Sequence, residues 1–137
     1  TLITHILLRR DELVLLDMYA GVEHLGRATA DAVEAMIVVV EPTARSLGTA
    51  AQIKSLANDL KIGRLLLVGS KVQGEDDQRY IAENSPGIPV LGFLPHDPRV
   101  READRQGASL YDLAPELAAA AGRLAEALSA SAPSHAA

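Results

Sequence analysis

Three short segments place polar or charged residues just past apolar runs. The first is Leu15-Leu16-Asp17-Met18-Tyr19-Ala20-Gly21. An acid at the C-terminal tip of a buried parallel strand sits where ligands bind in open α/β sheets. There it can hold a Mg²⁺ shell, directly or through water. Gly21 lets the following backbone approach a phosphate closely. The competing reading of Asp17 is an acid that caps a loop. The second segment is Val68-Gly69-Ser70-Lys71. Ser70 and Lys71 face the same crevice and suit contact with a base or ribose; equally, a strand can simply end in polar turn residues. The third is Gly92-Phe93-Leu94-Pro95-His96-Asp97-Pro98-Arg99. Pro95 fixes φ and removes a donor, which gives a rigid exit from a strand. Asp97 reads as a helix N-cap with Pro98 at the first helical position. Pro95 and His96 precede that helix, so they are candidates for lining a base pocket.

Other constellations fail on spacing or context. Gly48-Thr-Ala-Ala-Gln-Ile53-Lys54-Ser55 fits G-x-x-x-x-G-K-[ST] except for Ile53. It lies inside an amphipathic helix, and a β-branched residue blocks the left-handed turn that aims N–H groups at phosphate. Glu23 and His24 are adjacent on a helix and do not share a face, so no metal site is expected. No Ser/His/Asp set or nucleophile elbow is visible. The chain has no Cys, which removes thiolate ligands, thiol nucleophiles and disulfides.

The elements that must position these residues follow from four unbroken apolar runs: Leu13–Leu16, Met36–Val40, Leu65–Val68 and Val90–Leu94. Unbroken runs suit strands covered on both faces, as in a parallel sheet. Helices are expected at Arg45–Leu60, Asp76–Glu83, Asp97–Gln106 and Asp112–Leu128. Strands alternating with helices make βαβ units and an α/β fold. An open α/β sheet ordinarily begins with its phosphate-binding turn. Nothing of that kind precedes the first run, and Thr1–Arg10 reads as the end of a helix. The sequence therefore reads as one domain over residues 1–128, entered in mid-fold, with an Ala/Ser/Pro-rich disordered tail over 129–137.

Composition narrows the partners. Eighteen acids against thirteen Lys and Arg leave a net charge of −5, and the basic residues form no stripe. Nucleic acid and anionic membrane are thus not expected partners. The apolar runs are too short to span a bilayer, and no signal peptide is visible, so the cytoplasm is expected.

Together, Leu16-Asp17-x-x-Ala20-Gly21, Val68-Gly69-Ser70-Lys71 and Gly92-Phe93-Leu94-Pro95-x-Asp97-x-x-Val100-x-x-Ala103-x-x-x-Gly107 resemble the MinD/ParA-type deviant Walker P-loop ATPases. Within that group, Val14 to Thr29, with its Glu23-His24-Leu25-Gly26-Arg27 stretch, is most similar to the carbon monoxide dehydrogenase accessory ATPases of the CooC type. Val38-Val39-Val40-Glu41-Pro42-Thr43-Ala44-Arg45-Ser46 supports the same subgroup. The resemblance covers residues 1 to 128. It implies part of a mostly parallel, doubly wound P-loop NTPase sheet without its N-terminal phosphate-loop unit. It further implies a parent that binds ATP and Mg²⁺, dimerises around two nucleotides and assists nickel insertion into carbon monoxide dehydrogenase or a related nickel enzyme. On this resemblance Asp17 is the acid near Mg²⁺, and the segment to Gly21 is the switch that senses the γ-phosphate. Ser70 and Lys71 stand where these ATPases carry Asn-Lys or Asn-Arg; Ser70 departs from the Asn that reads adenine. Pro95, His96 and Asp97 match a second adenine-side loop. The chain alone, without a phosphate loop, is expected neither to bind nucleotide tightly nor to hydrolyse it, and a homodimer or larger oligomer is expected. The alternatives are a catalytically inactive interaction module, or a fragment of a ParA/MinD-type positioning ATPase. The last is disfavoured because Pro115–Leu128 carries only Arg123 as a basic residue.

Overall fold

A computed structural model describes residues 13–18, 26, 31 and 33–131. Its elements are β1 (Met36–Val40), α1 (Ala44–Asp59), β2 (Leu65–Val72), α2 (Glu75–Asn84), β3 (Val90–Pro95), α3 (Arg99–Gln106), α4 (Leu110–Leu113) and α5 (Pro115–Ala130). The strands form a three-stranded parallel sheet in the order β1-β2-β3. This is the α/β architecture expected from the alternation of apolar runs and helical stripes. Among the described residues, no helix is long and apolar enough to cross a membrane.

One expected strand is missing. Leu13–Leu16 is described and is not a strand; Leu13 and Leu15 are 73% and 78% exposed. Its β-branched and aliphatic composition is permissive, but a strand exists only through hydrogen bonds to a neighbour and cover on its faces. Among the described residues neither is supplied, and β1 pairs only with β2. The expected helix at Thr1–Arg10 lies outside the described residues. The final expected helix is two pieces, α4 and α5, because Pro115 cannot continue the preceding turn and instead starts α5 at its first positions.

Side-chain alternation sorts the sheet into two faces. Val38 and Val40 of β1, Leu67 of β2 and Phe93 of β3 pack with Leu47 and Ala50 of α1 and Ile81 of α2 in one cluster. Gly69 belongs to this face: a Cβ there would stand 2.7 Å from both Ile81 Cδ1 and Phe93 Cδ1. On the opposite face, α5 crosses β3 so closely that a Cβ on Gly92 would stand 2.5 Å from Leu124 Cδ2. The same face of β1 carries Ile37 and Val39, which are 37% and 61% exposed.

The helix ends are closed by local chemistry. Thr43 caps α1: its Oγ1 accepts from the Ser46 amide at 3.2 Å, while Ser46 Oγ accepts from the Glu41 amide at 3.0 Å. At the other end of α1, the amides of Lys61 and Ile62 donate to Asn58 and Ala57 carbonyls, a Schellman closure that holds Lys61 at φ 58. At the end of α3 the same pair of bonds is made around Gly107 at φ 61, where no Cβ resists. Lys54, the lysine of the rejected phosphate-loop match, lies inside α1. Its ammonium donates to the Pro86 and Gly87 carbonyls at 2.8 and 3.3 Å, tying α1 to the turn before β3.

Candidate functional site

The three strands run parallel, so their C-terminal ends emerge on one edge of the sheet. Each end feeds polar residues into an open groove of about 580 Å³. Glu41, Pro42 and Thr43 come from the β1–α1 turn, Lys71 from β2, Gln73 from the loop after it, Asp76 and Asp77 from the start of α2, and His96 from the loop after β3. This is the crevice in which open α/β sheets take their ligands.

Of the residues expected from the sequence, Lys71 and His96 line this groove. The His96 amide donates to the Val72 carbonyl at 2.9 Å, which fixes the β3 exit against the tip of β2. Pro95 ends β3 on the sheet edge, where its missing N–H costs no ladder bond. Ser70 is half-buried within β2. Asp17 is exposed in Leu13–Met18, a stretch without regular secondary structure, so no buried strand tip carries it. Gly21 lies outside the described residues.

Asp97 faces away from the groove and toward the helix that follows. Its Oδ1 accepts from the Arg99 amide at 2.9 Å, a capping bond made two residues before the first residue of α3, with Pro98 between them. The Arg99 guanidinium grips both Asp97 oxygens, Nε at 3.0 Å from Oδ1 and Nη2 at 2.7 Å from Oδ2, and reaches Glu116 Oε2 at 2.5 Å. Arg99 thereby clasps the start of α3 to the start of α5. These hydrogen bonds to Arg99 hold the Asp97 and Glu116 carboxyls below the usual carboxylate range, and they raise the guanidinium pKa in return.

Glu41, Thr43, Gln73, Asp76 and Asp77 were not singled out from the sequence. Glu41 had a readable signal: it directly follows an apolar run, as Asp17 does. The α2 acids had none, because an acidic first turn is ordinary helix chemistry. The donor set determines what the groove suits. Three carboxylates face Lys71 and His96, and the Lys71 ammonium is already paired with Glu41. Such a lining suits the hydrogen-bonding base and ribose of a nucleotide better than its phosphates. Among the described residues, no group of three or more His, Asp or Glu side chains is arranged to hold a metal ion.

Comparison with known proteins gives the chain its relatives. Over 115 residues, 84% of the chain, it is 44% identical to the carbon monoxide dehydrogenase accessory protein CooC of Rhodospirillum rubrum. It is 46% identical over 108 residues to an uncharacterized ATP-binding protein of Methanocaldococcus jannaschii, and 38% identical over 107 residues to a second one from that organism. The matched segments make up 44%, 42% and 42% of those proteins, so the chain spans less than half the length of the curated relatives it matches. No family model matches the chain.

Proposed function

We propose that this chain, which belongs to the family of CooC and the ATP-binding proteins similar to it, supplies the switch and base-side part of an ATP-binding accessory protein. The observation that carries the reading is the groove at the C-terminal strand ends, lined by Lys71 and His96. It occupies the position at which parallel α/β sheets receive nucleotides. The finer reading joins the relative named a carbon monoxide dehydrogenase accessory protein to the motif resemblance: we infer a parent that assists nickel insertion into carbon monoxide dehydrogenase or a related nickel enzyme, in the cytoplasm and as a dimer or larger oligomer.

In this reading Lys71 and His96 border the base and ribose, with Ser70 and Pro95 beside them at the same strand tips. Asp97 orients the exit from β3 through its hold on Arg99. Asp17 and Gly21 belong to the phosphate end, where Asp17 would hold the water shell of Mg²⁺. Bound Mg²⁺ would neutralise charge on the phosphates. The sequence carries no phosphate-loop motif of the kind whose N–H cradle and lysine grip a triphosphate.

Two measurements test the assignment. Calorimetry of the 137-residue chain with MgATP is expected to show no low-micromolar binding; such binding would remove the division between base end and phosphate end. In a full-length protein carrying this chain, Asp17→Asn keeps the shape and removes one negative charge facing the cation. Turnover should fall at least about tenfold, since a hydrogen bond to a charged group contributes about 1.5–3 kcal/mol. A loop-capping Asp17 predicts the reverse pattern. Asp17→Ala would then lose about 0.5–2 kcal/mol of stability while Asn, which also caps, changes little. An Asp17→Asn protein of full rate excludes Asp17 from the site.

The exposed face of β1 favours a second reading, a catalytically inactive interaction module. Ile37 and Val39 are apolar and uncovered, and exposed sheet edges recruit other chains. The Asp17→Asn measurement separates the two, because an interaction module has no turnover for that substitution to lower.

A further inference from the structure

The tip of β2 holds a lysine in a conformation that lysine resists. Lys71 sits at φ 56 within the strand, in the left-handed region that its Cβ disfavours. The register of β2 against β3 shifts between Gly69 and Val72, so Ser70 and Lys71 form a bulge, a device that re-aims a side chain. The re-aimed side chain crosses to the neighbouring strand, where its ammonium meets the Glu41 carboxylate just past β1. The two side chains are 63% and 48% exposed, and an ion pair that open contributes little to stability. Strain in the backbone is therefore not offset by the contact it enables. Both partners line the groove.

We propose that Glu41 is a positioning residue of the nucleotide site. It holds the Lys71 ammonium at the tip of β1, so that Lys71 forms a wall for the base and ribose of a purine nucleotide instead of a ligand for its phosphates. The inference rests on the reading of the groove given above and assigns its polarity. With Lys71 engaged, no other Lys or Arg among the described residues lines the groove, and the aliphatic stem of a lysine tethered by its head is an apolar surface suited to a flat ring. Freed from Glu41, the same ammonium becomes a mobile cation that attracts phosphate.

The test uses the isotope-labelled chain with three probes: adenosine, AMP and inorganic tripolyphosphate. In the wild-type chain, adenosine and AMP are expected to shift the amides of Lys71, Gln73 and His96 with millimolar affinity, and tripolyphosphate is not. In Glu41→Gln, adenosine should bind about fivefold more weakly, about 1 kcal/mol and the upper end of what an exposed ion pair contributes, and tripolyphosphate should begin to move the Lys71 amide. Acylation of Lys71 by an amine reagent, read by mass spectrometry against Lys61, should accelerate in Glu41→Gln and return toward wild type in Glu41→Asp. A wild-type chain that binds adenosine, with affinity and Lys71 reactivity unchanged in Glu41→Gln, overturns the positioning role and leaves the site standing. A wild-type chain whose groove amides ignore adenosine and AMP overturns both.

Discussion

Among the described residues β3 and β1 are the two outer strands of one sheet, and the chain treats them differently. Over β3 it lays α5, with Gly92 shaved to a bare Cα so that Leu124 can seat against the strand. Over the same face of β1 it lays nothing among the described residues, and Ile37 and Val39 remain exposed. Both strands are apolar runs of similar length, so composition does not cause the difference. A sheet face becomes core only when an element of the right length and position covers it. On the β1 side that element must come from outside the described residues or from another chain.

The largest effects should come from the covered parts of the sheet. Leu67, fully buried at the centre of β2, should lose about 2–5 kcal/mol on Leu67→Ala. Val39→Thr on the open face should stay within about 0.5 kcal/mol. Urea unfolding of both variants checks the contrast, and a loss at Val39 approaching that at Leu67 would mean its face is covered in solution. If the open face associates, light scattering should show dimers or larger species at tens of micromolar, and Val39→Lys should disperse them. A monomeric wild-type chain would break the proposed association.

Gly69→Ala tests the closeness of the covered face. Its methyl meets Ile81 and Phe93 at 2.7 Å, and overpacking of this kind costs about 1–3 kcal/mol. Gly48→Ala, on an open stretch of α1 with nothing within 4 Å, should instead gain about 0.5–1 kcal/mol from helix propensity. Denaturant midpoints of opposite sign are the expected result.

A smaller effect compares two helix ends. Lys61 holds at φ 58 the position that Gly107 holds at φ 61. Lys61→Gly should therefore stabilise the chain by about 1 kcal/mol, the left-handed penalty of a residue with a Cβ. Melting temperatures of this variant and of Gly107→Ala, which should fall, measure the same penalty in both directions.

The smallest effect is electrostatic and lies at the clasp between α3 and α5. Asp97 and Glu116 have carboxyls held below their ordinary values by Arg99. A carboxylate with a lowered folded pKa adds stability above its unfolded value, and that stability disappears as pH falls through the folded value. The melting-temperature gap between wild type and Arg99→Met should thus be open at neutral pH and close on acidification below about pH 4. A gap independent of pH would show that Arg99 acts only through packing of its stem.

Periodicity and turn chemistry placed most of the elements, because those signals are local. Apolar runs marked all three observed strands, and the amphipathic pattern over Arg45–Leu60 marked α1. The same signal marked Leu13–Leu16, where it failed, since a run of apolar residues encodes the capacity to be buried and not the presence of a neighbour. For the groove, the strand-tip rule reached Lys71 and His96, which stand three and two residues past the apolar runs ending at Val68 and Leu94. It did not reach Gln73, Asp76 or Asp77, which enter only because α2 turns back over the strand ends.

By itself the sequence determined the α/β class, the parallel strands and the residues at their tips, all of which follow from spacing within about a dozen positions. The tertiary structure alone decided which tips share a groove, that β2 bulges at Ser70 and Lys71, and that Lys71 turns to Glu41, 30 residues before it. It also decided that Arg99, held by Asp97, reaches Glu116, 17 residues on. Those pairings depend on the order of strands and the seating of helices, which are set by contacts between residues that no local pattern connects.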